Sequence, residues 1–251
     1  MNSSIFQFAL LLLLSHLAGD YLLQTAWLAR NKRKSFWVLL LHVLIYSAAT
    51  YVLVGVWTAW QIPLVVFGSH LLIDWLRGRL RKDRLVFFLL DQGLHLTVLG
   101  LLLGLVLLPM GEPSFWFKVA PAAAGALAVY ASALLLLTLA GGFLIGFLVK
   151  PLQDQIKLHY QKNGKPVVEG LANGGKIIGW LERLLIFAFV MTGQYAGIGF
   201  LVAAKSVFRF GELKESENRK EAEYIIIGTF ASFLYAIAVS LAAKWVLGVL
   251  K

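Results

Sequence analysis

Long apolar runs dominate this chain, and short polar clusters punctuate them at intervals that suit membrane-crossing helices. The first run predicts a helix over residues 5–29, ended by the basic loop 30–35. A second helix is predicted over 36–60, and Pro63 fits the first turn of a shorter third helix ending near residue 75. After a basic turn at 77–84, a fourth helix covers 85–108, and the Pro- and Gly-rich stretch 109–113 reads as a turn. A fifth helix, rich in Ala, Leu and Gly, spans 119–149. The polar stretch 150–176 follows, with a short interfacial helix expected at 151–160 and loop signatures at 163–166 and 173–175. The next apolar run, 177–208, is interrupted at 191–197. It reads either as two half-helices folding back in a re-entrant hairpin or as one long tilted helix. A charged segment at 212–223 precedes a last membrane helix over 224–250.

The fold expected is therefore all-α: a polytopic transmembrane bundle of about six to eight membrane helices, counting a re-entrant helical hairpin. Three regions are expected. They are a five-helix domain over 1–149, a linker over 150–176 facing the cytoplasm, and C-terminal membrane helices over 177–251 with the hairpin at 177–209. Composition supports this. The chain is 59% hydrophobic and only 14% charged, against about 45–50% and 25% for soluble domains. That argues against a disordered chain and an ordinary soluble enzyme.

The net charge of +10 would suit a nucleic-acid binder if it formed one face. Instead, Arg30, Lys32, Arg33 and Lys34 form one cluster, and Arg77, Arg79, Arg81, Lys82 and Arg84 another, each between apolar runs. This is the pattern of cytoplasmic loops beside an anionic leaflet, so membrane lipids rather than nucleic acid are the expected partners. The chain has no cysteine, which excludes disulfides and thiolate chemistry. The first apolar run lacks a basic n-region and a small-residue cleavage site, so it reads as a retained helix.

The candidate chemistry lies in polar residues that interrupt apolar helices. His16 and Asp20 are four apart, as are His70 and Asp74, and Asp91 and His95 in reversed order. Residues at i and i+4 share one helix face, so each pair presents an imidazole and a carboxylate to one point. His42 adds an imidazole on the second helix. Measured from the basic loops, all seven fall in the cytoplasmic half of the membrane layer. Ionisable groups are expensive there and usually mark a site. Any one such histidine is often a hydrogen-bonded packing residue, but seven groups at one depth point to a centre. His16, Asp20, His42, His70, Asp74, Asp91 and His95 are thus candidate ligands for one or two divalent ions, zinc first, with Mn, Fe or Mg as alternatives. A proton relay without metal would use the same groups. Asp20, Asp74 and Asp91 are the candidate catalytic carboxylates, with Gln24 and Gln92 in support.

A second set lies in the C-terminal part. Arg183, Lys205 and Arg209 sit within or at the ends of apolar runs and suit an anionic group such as phosphate. Glu182, Glu223 and Tyr224 are their supporting neighbours. Snorkelling at helix ends would also explain the basic residues.

The motif over residues 14–24 (LSHLAGDYLLQ), with His42, the run HLLID at 70–74 and FLLDQGLH at 88–95, resembles a family of bacterial inner-membrane proteins designated a domain of unknown function (number 3307). GWLER at 179–183, AKSVFRF at 204–210 and AEY at 222–224 with Gly228 and Thr229 look like the C-terminal part of its longer members. The resemblance implies a multi-pass protein of the bacterial inner membrane and names no reaction. More distantly, the repeated His-x-x-x-Asp pattern is similar to membrane-bound proteins classed as metal-dependent hydrolases. The chain has no His-Glu-x-x-His, so a zincin-type protease is not implied.

Together these readings lead to an expected metal-dependent hydrolase acting at the cytoplasmic side on a phosphate-bearing lipid or lipid-linked substrate. A proton- or cation-coupled transporter or channel is the alternative from another class, and a non-catalytic membrane subunit is the third.

Overall fold

The computed structural model describes residues 3–80, 84–162, 171, 173–210 and 219–250. The expectations that rest on Arg81, Lys82, the loop at 163–166, residues 212–218 of the charged segment and the side of Lys251 lie outside the described residues. So does the side chain of Arg209.

Among the described residues every regular element is helical. They are α1 (Ser3–Leu17), α2 (Ala26–Asn31), α3 (Phe36–Val54), α4 (Gln61–Leu80), α5 (Leu85–Leu102), α6 (Phe115–Val119), α7 (Pro121–Leu135), α8 (Gly141–Lys162), α9 (Gly174–Thr192), α10 (Tyr195–Phe210) and α11 (Arg219–Val249). π-helical turns follow α1 at Ala18–Leu22, α5 at Leu103–Leu107 and α7 at Leu136–Ala140. Five described helical stretches are long and apolar enough to cross a membrane: Ser4–Leu22, Phe36–Val54, Leu85–Met110, Pro121–Lys162 and Lys220–Val249. The architecture is thus an all-α bundle of membrane-helix character.

Several element ends differ from the sequence reading, each for a local reason. The first helix does not run unbroken to residue 29; it loosens into the π-turn, and α2 starts afresh with Thr25 Oγ1 accepting the Leu28 N–H. The second helix stops at Val54, not near 60. Gly55 takes a left-handed φ of 65°, and its carbonyl accepts the Phe115 N–H at 2.8 Å. A Cβ at Gly55 would meet the Trp116 ring at 2.8 Å, so only glycine fits this stop. α4 runs past 75 to Leu80, taking Arg77 and Arg79 into its last turn, where cations complement the helix dipole. Pro151 does not begin a separate interfacial helix but lies inside α8.

The chain divides into two compact units, Met1–Leu135 with Val246–Lys251, and Leu136–Trp245. In the first, α3 packs on α1 and α4, α4 on α5, and α7 on α1. Phe8, Leu12, Tyr46, Val54, Ile62, Val66, Leu99 and Leu102 form its main core. Buried polar groups and exposed apolar ones are both unusual for a water-soluble protein. His16, His42, His70 and His95 are inside, while Trp37, Leu105 and Leu127 are outside and at least 70% exposed. An apolar exterior with its ionisable groups held inside is what a hydrocarbon solvent demands.

In the second unit the chain folds back at Gly193, whose φ is 75°. α9 and α10 lie side by side, so that Lys205 reaches Glu182. Gly197 lets the returning helix approach closely, since a Cβ there would stand 2.7 Å from the Phe189 ring. At the break, the carbonyl of Val190 accepts both the Gly193 N–H at 3.2 Å and Lys244 Nζ at 2.9 Å.

Candidate metal centre

Four helices of the first unit each bring one part of the site. His16 is in the last turn of α1, and Asp20 lies in the π-turn that follows. The wider turn advances the helix face beyond α-helical register; such bulges recur at functional sites. It depends on Gly19, where a Cβ would stand 2.2 Å from Cδ2 of Tyr46. Tyr46 sits one turn after His42 on α3, and its ring stacks on that of His70 with centroids 3.9 Å apart. His70 and Asp74 come from α4, Asp91 and His95 from α5.

At the centre, four donor atoms face one another. His42 Nε2 lies 3.2 Å from His70 Nε2. Asp20 Oδ1 is 3.5 Å from His42 Nε2 and 3.4 Å from His70 Nε2. Asp74 Oδ2 is 3.5 Å from His42 Nε2 and 3.6 Å from His70 Nε2. The nitrogen–oxygen spacings are too long for good hydrogen bonds, which fall at about 2.7–3.2 Å. They are of the size a bound ion sets between its donors, since metal bonds of about 2.0–2.2 Å place tetrahedral donors about 3.3–3.6 Å apart, and Asp20, His42 and His70 form one group able to hold a cation. Lys32, just beyond α2, donates to the same Asp74 Oδ2 at 2.7 Å. His70, Asp74 and His95 form a second, overlapping group able to hold a cation.

The outer polar shell fixes the rings. Gln92 Oε1 can only accept, and takes bonds from the Tyr21 hydroxyl at 2.6 Å and from His16 Nε2 at 3.1 Å. With its proton on Nε2, neutral His16 presents Nδ1 as an acceptor to the Tyr46 hydroxyl at 3.0 Å. Both nitrogens of His16 are therefore engaged, and Asp20 Oδ2 stands 3.4 Å from Nδ1. His16 supports the centre from behind Asp20 instead of facing the four donors. His95 Nδ1 donates to the Asp91 carbonyl at 2.8 Å, which leaves Nε2 as a lone-pair donor. That Nε2, His70 Nδ1 and Asp91 Oδ1 are buried and without a hydrogen-bond partner. Such groups are costly unless something else binds them. A cavity of about 10 Å³ beside His70 and His95 has room for a single water or ion. On donor type, spacing and unmet valence, the residues fit a divalent ion.

Of the sequence candidates, Asp20, His42, His70, Asp74 and His95 meet at this centre. Asp91 is tied to it through its carbonyl, which takes the His95 ring N–H, and His16 and Gln92 stand around them. Gln24 Oε1 is buried without a partner. Lys32 and Tyr46 were not expected: one reads as an ordinary loop lysine, the other as an apolar-run aromatic. The single sequence signal for Tyr46 is its i+4 spacing from His42.

The second-unit candidates are held by their own neighbours. Lys205 Nζ is paired with both oxygens of Glu182, at 2.7 and 2.8 Å. Arg183 donates to the Leu137 carbonyl, to Ser232 Oγ at 3.1 Å and to the Thr138 carbonyl at 3.5 Å. Tyr224 accepts a bond from Gln153, and Glu223 opens the long apolar part of α11.

Residues 8–121 match the model of a family described as a protein of unknown function (DUF3307). That stretch contains all seven His/Asp residues of the centre and its supports. No curated protein and no solved structure matches the chain.

Proposed function

We propose that the first unit is a divalent-metal centre, zinc by preference, of a metal-dependent hydrolase in the bacterial inner membrane. Its substrate is a phosphate-bearing lipid or lipid-linked ester. The observation that carries the reading is the set of 3.2–3.6 Å spacings among Asp20, His42, His70 and Asp74. Two nitrogens and two oxygens in that arrangement suit zinc, whereas Mg requires near-octahedral oxygen ligation. His70, Asp74 and His95 would hold a second ion.

A bound divalent ion supplies Lewis acidity, stabilising negative charge that develops during ester hydrolysis. The protein supplies the rest. Asp91, with Oδ2 anchored by Gln92 at 3.1 Å and Oδ1 free, is the general base that takes a proton from the attacking water. Lys32 neutralises Asp74, to which it donates at 2.7 Å, and would offer its ammonium to a substrate phosphate if Asp74 held an ion. Tyr46, His16 and Gln92 hold the ligands in place, the outer-shell role that tunes metal sites.

Elemental analysis of detergent-purified protein never exposed to chelator tests the centre. Wild type should carry about one zinc per chain and His70→Ala essentially none. Asp91→Asn should keep the metal while losing about 100-fold or more in turnover of phosphoester lipids. Folded wild-type protein without metal would sink the reading. The small cavity favours a second reading, a cation carrier. Metal binding with divalent flux into liposomes and no turnover would select it.

A further inference from the structure

We propose that the second unit carries its own binding site for an anionic amphiphile: a phosphate head group held by Arg183 and Lys176, with the first part of a hydrocarbon chain in an apolar cavity. The cavity has a volume of about 420 Å³ and is lined by Phe143, Gly146, Val149, Gln153, Lys176 and Arg183 among others. That is in the range of small-ligand sites, and its walls have the usual mixture of apolar surface and a few polar groups.

The charge balance points to an anion. Arg183 is only 3% exposed, and its described bonds go to two carbonyls and a hydroxyl, none to a carboxylate. The adjacent Glu182 attracts it only through space, because both of its oxygens bond Lys205, so two cations share one carboxylate. A buried guanidinium in an apolar setting is stable when paired, and two of its five N–H groups remain after the three bonds described. Lys176, exposed at the start of α9 over the Trp180 ring, adds a second positive charge on the same cavity. First-turn amides such as that of Gly175, also in the lining, have no intrahelical acceptor and favour an anion as well.

The shape points to a chain. α8 presents Gly142, Gly146 and Val149 along one side, and at Gly146 a Cβ would meet nothing within 4 Å. The missing side chain leaves open space beside Phe143 that a hydrocarbon segment fills without disturbing the packing. The site is independent of the metal centre and of the reaction proposed for it.

The test is calorimetric titration of full-length protein in detergent with short-chain phosphatidylglycerol, phosphatidylcholine of the same chains, or inorganic phosphate. Phosphatidylglycerol should bind at one per chain, about fivefold or more tighter than phosphatidylcholine. Lys176→Gln, at an exposed position, should weaken it about fivefold. Gly146→Leu, which fills the cavity and leaves Arg183 and its partners untouched, should weaken it at least about tenfold. His70→Ala should bind the lipid as wild type does, which separates this site from the metal centre. Equal affinity for the two lipids, or unchanged binding by folded Gly146→Leu, would overturn the proposal. So would inorganic phosphate matching the lipid in affinity, since that would make the site one for free phosphate.

Discussion

The two units handle buried charge differently, although both use a π-helical turn to do it. In the second unit, the turn at Leu136–Ala140 leaves carbonyls without helical donors, and side chains fill them: Tyr235 donates to Leu136 at 2.9 Å, and Arg183 to Leu137. Glu182 and Lys205 close on each other at 2.7 Å. In the first unit, the turn at Ala18–Leu22 pushes Asp20 toward two imidazoles and stops short of contact, with 3.4 and 3.5 Å remaining. Asp91 Oδ1 and His95 Nε2 are likewise left without partners. Short, completed contacts mark a network that balances itself. Spacings longer than a hydrogen bond but equal to coordination edges, with unmet valence nearby, mark a place for an ion. The Arg183 cavity is intermediate: three of the guanidinium N–H groups are bonded, but none to a carboxylate.

Three substitutions separate these cases. Glu182→Gln should have the largest effect on stability. It strands Lys205 in a mostly buried position, and breaking such a pair costs about 3 kcal/mol. Thermal unfolding in detergent should show the loss, while zinc per folded chain stays at the wild-type value; a drop in zinc would mean that the two networks are not separate. Gly19→Ala comes next. Its Cβ has no room against Tyr46, so about 2 kcal/mol of overpacking strain is expected, together with zinc loss because Asp20 leaves its position. Unchanged zinc content in that variant would remove the π-turn from the account of the site. Tyr46→Phe is the mildest, deleting one hydroxyl at His16 Nδ1 for about 1 kcal/mol. Zinc affinity should fall about tenfold, the scale of an outer-shell contact, and competition with a chromophoric chelator measures it. No change there would reduce Tyr46 to a packing residue.

Much of the centre was legible in the chain. Three His/Asp pairs at i, i+4 and a lone histidine in apolar helices named the five residues that meet there, together with Asp91 and His16, which do not face the donors. The break in the run 177–208 was visible in its Met-Thr-Gly-Gln interruption, and it occurs at Gly193. The sequence reading was weaker at helix ends. Gly55 ends α3 because of a left-handed φ and the Trp116 ring packed over it, neither of which hydropathy reports. Arg77 and Arg79 read as loop residues because they are charged, yet the helix dipole keeps them in α4. The basic residues were the least legible. Lys32 looked like one of several loop lysines, and Lys205 looked free for a substrate until its partner on the neighbouring helix was seen.

The sequence by itself determined that this is a helical membrane protein and which polar residues share helix faces, because hydropathy and i, i+4 spacing are properties of one segment at a time. Tertiary structure alone decided which atoms meet. It engaged both nitrogens of His16 with Tyr46 and Gln92, brought Lys32 onto Asp74, and closed Lys205 on Glu182. It also set the side-chain donors of Asp20, His42, His70 and Asp74 within 3.2–3.6 Å of their imidazole neighbours. Those outcomes depend on the packing of one helix against another, where a shift of under an ångström separates a hydrogen bond from a coordination edge.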